Sequence, residues 1–157
     1  MRFPERVYTA EEVKKAVDLI GKGYKHNLEV KGSPDFRSKV EEALELIKTA
    51  EYHDFLRTYI RQIREIDGLS QLREAEVAIW ANKYAVVDPI EAAGFIVQKA
   101  QQMKDFVEGR LYYETAEVRA VRKRIEFLEA LRGKSKNQAV KKKCEESLKR
   151  WTETTFP

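Results

Sequence analysis

Apolar positions three and four residues apart recur along most of the chain, the 3.6-residue period of amphipathic helices. The first such segment follows Thr9. Val13, Ala16, Val17 and Ile20 form its stripe, Thr9 and Glu12 stand at capping-box spacing, and Gly21 and Gly23 close it. The second has the cleanest pattern. Phe36, Val40, Ala43, Leu44 and Ile47 share one face, with Lys39, Glu41, Glu42 and Glu45 opposite. Ser33 is placed as its N-cap and Pro34 at its first position. A third helix is expected from Tyr52 to about Ile60. A fourth starts at Asp88, with Pro89 first and Glu91 completing a capping box, and reaches about Glu108. A fifth, about Thr115 to Leu131, carries Val118, Val121, Ile125 and Leu128 on one face and stops at Gly133. The last begins near Asn137 and aligns Val140, Cys144, Leu148 and Trp151.

Period-two patterning is sparser. Leu28-Glu29-Val30 alternates and predicts a short strand. Ile60, Ile63 and Ile66 suit either a longer third helix or a strand. Val77, Ile79 and Trp80 face Ala85-Val86-Val87 across Asn82-Lys83, which reads as a hairpin. With no repeat, low-complexity run or long linker, these elements predict one α+β domain over residues 1–157. About six helices dominate it, with a small antiparallel sheet.

Composition narrows the setting. Hydrophobic residues make up 43% and charged residues 36%, which suits a folded domain with an ionised surface. The lone Cys144 excludes an internal disulfide and a cysteine-built zinc site, and is expected as a small apolar helix residue. No apolar run approaches the ~18 residues of a membrane span. Met1 to Glu5 lacks an apolar signal-peptide core, so the expected location is cytoplasmic.

Candidate chemistry centres on the fourth helix. Its segment from Ala93 to Gln102 resembles the active-site helix of small zinc metallopeptidases, the zincins, whose hallmark is His-Glu-x-x-His after an apolar run. Gln98 and Gln102 stand where the two histidines would be, and Lys99 where the catalytic glutamate would be. In that pattern two imidazoles four residues apart grip one ion, and the glutamate activates the metal-bound water.

Flanking residues extend the resemblance. Gly32-Ser33-Pro34-Asp35-Phe36, with Val40 and Ala43-Leu44, is similar to the strand-to-helix passage of zincin-like proteins. Glu108-Gly109-Arg110 and Ala116-Glu117-Val118 resemble the glycine turn and the next helix, where a glutamate supplies the third ligand. The resemblance covers 28–131 as a zincin-like core and leaves 132–157 as a basic C-terminal helix. It implies a degenerate member with Gln98, Lys99, Gln102 and Glu117 as vestigial active-site positions. No metal, cofactor or catalysis is then expected, and a Lys99–Glu117 ion pair is. The implied role is a non-catalytic binding or scaffold protein, with a protein partner or a second copy of the chain. Read without the resemblance, the same helix is an ordinary amphipathic one, packed through Val97, Ala100 and Phe106 with its amides in water.

Other chemistry is thin. There is no phosphate loop, no Ser–His–acid set, and pairs such as Glu41/Glu42 and Glu145/Glu146 belong to solvated faces. His26 and His53 sit in polar contexts and are expected at the surface or in caps. Tyr112, Tyr113 and Trp151 are expected in packing or an oligomer interface. Charge provides the alternative. Of the net +4, the stretch from Arg119 to Arg150 holds twelve Lys/Arg against four Glu. Arg119, Arg122, Lys123, Arg124 and Lys141-Lys142-Lys143 are the candidates for gripping nucleic-acid phosphates. Glutamates interrupt the run, and no aromatics interleave it as a stacking platform.

Overall fold

In the computed structural model, which describes residues 2–111 and 115–155, local caps and apolar stripes lay down six helices around a four-stranded sheet. Thr9 opens α1 (Ala10–Gly21) with the expected capping box. Its hydroxyl accepts from the Glu12 N–H, and Glu12 Oε1 accepts from the Thr9 N–H at 2.9 Å. Ser33 caps α2 (Pro34–Thr49), whose Phe36, Val40, Ala43, Leu44 and Ile47 are all buried. Asp88 accepts from the N–H groups of Ile90 and Glu91 to start α4 (Pro89–Val107). Glu91 does not complete the box: its carboxylate turns away to α5 (Ala116–Lys134) and α6 (Gln138–Thr155). Helix α5 passes through Gly133 to Lys134, and Val118 lies 37% exposed beside the buried stripe of Ala120, Val121, Phe127, Leu128 and Leu131.

The sheet is mixed rather than antiparallel. Its order is β1 (Glu29–Lys31), β2 (Gln62–Glu65), β4 (Ala78–Ala81), β3 (Gln71–Arg73). The first two pairings are parallel, with Val30, Ile63 and Ile79 in register, and only β3 runs antiparallel to β4. Parallel neighbours need a crossover, here supplied by α2 and α3 (His53–Tyr59) between β1 and β2. Ile63 therefore lies in a strand, and Ile66 follows just after it. The hairpin lies earlier than expected, joining Gln71–Arg73 to Ala78–Ala81. Asn82 prevents the predicted second strand: its side chain accepts from the N–H groups of Tyr84 and Ala85 and winds Lys83–Val86 into a 3₁₀ turn.

Helix α4 is the axis of the core. It packs against α1, α2, α3, α5, α6 and β3, and buries Ala92, Ala93, Gly94, Ile96, Val97, Ala100 and Met103. A helix enclosed this way is apolar on most of its circumference, so each polar residue on it needs a specific partner. Among the described residues no helix is long and apolar enough to cross a membrane.

His26 departs from expectation. It is 1% exposed, with the Phe3 and Tyr24 rings edge-on at 4.5 and 5.0 Å between centroids. The N-terminal segment folds over it because Arg61 donates to the carbonyls of Pro4, Glu5 and Glu76. Cys144 is buried in α6 as expected; Tyr112 and Tyr113 lie outside the described residues.

Candidate functional site

The polar residues of α4 meet a guanidinium from α5. Gln98, Lys99 and Gln102 are half-buried on α4. Arg124, 6% exposed, crosses from α5 and donates from Nη1 to Gln98 Oε1 at 3.0 Å and from Nη2 to the Glu91 carbonyl at 3.1 Å. It fits because residue 94 is glycine. A Cβ there would lie 2.6 Å from Arg124 Nε and 3.1 Å from Cζ. On its other side the guanidinium lies over the Trp151 ring, 4.1 Å from the centroid, a cation–π contact supplied by α6.

Glu91 provides the counter-charge and ties three helices together. Its carboxylate lies 3.6 Å from Arg124 Nη2, accepts from Ser147 Oγ at 2.9 and 3.0 Å, and accepts from Arg150 at 3.1 Å. Burial pulls the Arg124 pKa down to about 10, opposed by Glu91, so the group remains a cation at neutral pH. Lys99 is also pulled below its ordinary value, by desolvation first and then by the nearby Arg124 charge; Glu74 opposes the shift. Its ammonium lies 5.4 Å from the centroid of the Phe95 ring.

The four positions that the resemblance singles out are only partly brought together. Gln98 accepts from Arg124, Lys99 lies near enough to be repelled by its charge, and Gln102 lies one turn further along the same helix. Glu117 is exposed in the first turn of α5, and the expected Lys99–Glu117 ion pair is not formed. Among the described residues no three His, Cys, Asp or Glu side chains group so as to hold a metal ion. The site's chemistry is therefore that of a buried guanidinium shared between the Gln98 carboxamide and the Glu91 carboxylate, with the Lys99 ammonium nearby.

A second polar cluster joins the far ends of the same helices. Gln101, expected in water, is 6% exposed and donates to Asp105 Oδ1 at 3.2 Å. Asp105, 1% exposed, receives Arg119 Nε on both oxygens at 3.2 and 3.3 Å. Arg119 also donates to Thr115 Oγ1 and to the Arg110 carbonyl.

The basic run does not form one surface. Arg124 is interior. Arg119, Arg122 and Lys123 line a groove together with Lys104 and Arg110. Lys141 donates to the Arg132 carbonyl, Lys142 is exposed, and Lys143 borders a different groove beside Glu42 and Glu45. Sequence reasoning missed Glu91, Asp105, Ser147 and Arg150, because their partners lie on other helices. The chain matches no family model, no curated protein and no solved structure.

Proposed function

We propose that this chain is a non-catalytic binding domain built on a metallopeptidase-like frame whose metal site has been lost. The observation that carries the reading is the hydrogen bond from Arg124 to Gln98. At the position of the first histidine of the zincin pattern, the carboxamide oxygen already accepts from a buried guanidinium. A carboxamide is a feeble zinc ligand beside imidazole. Any dication bound there would also face both Arg124 and Lys99. At ~4 Å and an effective dielectric of ~20, each like unit-charge pair costs about 4 kcal/mol. Protonated Lys99 cannot serve as the base that activates a metal-bound water.

What remains is a polar face on a rigid axis, suited to holding a protein partner or a second copy of the chain rather than turning over a peptide. Dispersal of Arg119–Lys143 over separate surfaces weighs against a nucleic-acid track, which needs its cations along one path. Hydrolysis of an unstructured protein substrate, followed with and without added zinc, tests the reading. The expected rate equals the buffer control in both; zinc-dependent turnover abolished by Gln98→Ala overturns it.

A further inference from the structure

Residues 3–7 run ahead of α1 as a short strap, and beneath the strap lies a histidine. Two apolar side chains anchor it, Phe3 and Val7, both buried. Its polar ties among the described residues are to the far side of the chain. The Val7 N–H donates to the Ala75 carbonyl at 2.9 Å, and Arg61 holds the Pro4 and Glu5 carbonyls at 2.9 and 2.6 Å. A terminal segment anchored so lightly belongs to the low-stability end of a fold.

The His26 ring meets Phe3 of the strap edge-on, and its Nε2 is buried with no hydrogen-bond partner among the described residues. A neutral imidazole can leave that nitrogen as a bare acceptor. An imidazolium has two N–H donors and needs an acceptor for each, and a buried charge without one is costly. The charges that act on the ring are cations, Arg61 and then Arg57. The carboxylates of Glu5 and Glu76, with the Tyr24 hydroxyl, act on Arg61 instead. Protonation therefore favours any movement that lets water reach the ring.

Of the walls around His26, the strap is the one free to leave. Helix α3 is bonded to the histidine's own backbone: the His26 N–H donates to the Arg57 carbonyl and Arg57 Nε to the His26 carbonyl, both at 2.8 Å. Tyr24 is tied to α1 through its N–H on the Leu19 carbonyl. From this we infer that residues 3–7 are a proton-released strap: when His26 takes up a proton, Phe3 and Val7 lift away while the rest of the fold stays closed. Release uncovers the Tyr24 and His26 rings beside an Arg61 guanidinium freed of the Pro4 and Glu5 carbonyls. The inference stands independently of the role assigned to Gln98 and Lys99.

Amide hydrogen exchange of the full chain, read residue by residue by NMR and divided by the intrinsic rate at each pH, tests it. Burial, then the Arg61 and Arg57 charges, holds the closed-state pKa at about 4, against the ordinary 6.5 once the ring is open. Linkage then raises the open population about thirtyfold between pH 7.5 and pH 5. The Val7 amide is expected to lose protection by that factor, and at both pH values to exchange faster than the Val97 amide of α4. His26→Phe is expected to flatten the Val7 profile to less than about threefold. Phe3→Ala, which keeps the histidine but removes its cover, is expected to bring the imidazole's own titration closer to 6.5. Equal protection of Val7 and Val97 means that the strap opens only with the whole fold, and overturns the inference. So does a parent-like pH profile in His26→Phe, or an unmoved His26 titration in Phe3→Ala.

Discussion

Arg124 occupies its place only because its neighbour on α4 has no side chain. In Gly94→Ala the new methyl meets the guanidinium at 2.6 Å, so Arg124 must leave Gln98 or the helices must part. Overpacking costs about 1–3 kcal/mol, against a helix-propensity gain of up to ~1 kcal/mol. We expect a net loss of about 1–2 kcal/mol in urea unfolding; a gain would contradict this packing. His26 sets a second residue-scale expectation. Burial, with Arg61 and Arg57 nearby, lowers its pKa to about 4, while the unfolded chain protonates near 6.5. Between those values the unfolded state binds more protons. Stability is therefore full above about pH 6.5 and falls as the pH drops toward 4, by at most ~3 kcal/mol from this group. The urea midpoint of His26→Leu should fall less steeply across that window. A curve parallel to the parent's would remove His26 as the cause.

Among the elements, Glu91 binds the most together, because its one carboxylate meets α5 through Arg124 and α6 through Ser147 and Arg150. Glu91→Gln keeps the shape but strips the counter-charge from a buried guanidinium. A loss of about 1–3 kcal/mol is expected, with α6 amides exchanging faster in hydrogen–deuterium exchange. Unchanged protection in α6 would show that the tie is idle. Helix boundaries were readable in the sequence because caps are local: Thr9 with Glu12, Ser33 with Pro34, and Asp88 with Pro89 act within one turn. The strands are three or four residues long, and the parallel pairing of Val30 with Ile63 spans two intervening helices, beyond the reach of any periodicity. Asn82 reads in the sequence as a hairpin break, but its side chain reaches forward to two N–H groups and makes a turn instead. The polar site was legible only in part. Gln98, Lys99 and Gln102 stand out only through the resemblance of their helix to the zincin pattern, whereas Gln98–Arg124 and Glu91–Ser147 join residues 26 and 56 apart.

At the scale of the whole molecule, α4 is both the axis of the core and the bearer of Gln98, Lys99 and Gln102. Enclosure on so many sides lowers the local dielectric around Lys99 and Arg124 and strengthens their repulsion of a cation. The direct test is a zinc-binding isotherm on chelator-stripped protein at neutral pH, repeated on Glu117→Ala. The account predicts no stoichiometric zinc on either chain. One zinc per parent chain, lost in Glu117→Ala, would contradict it.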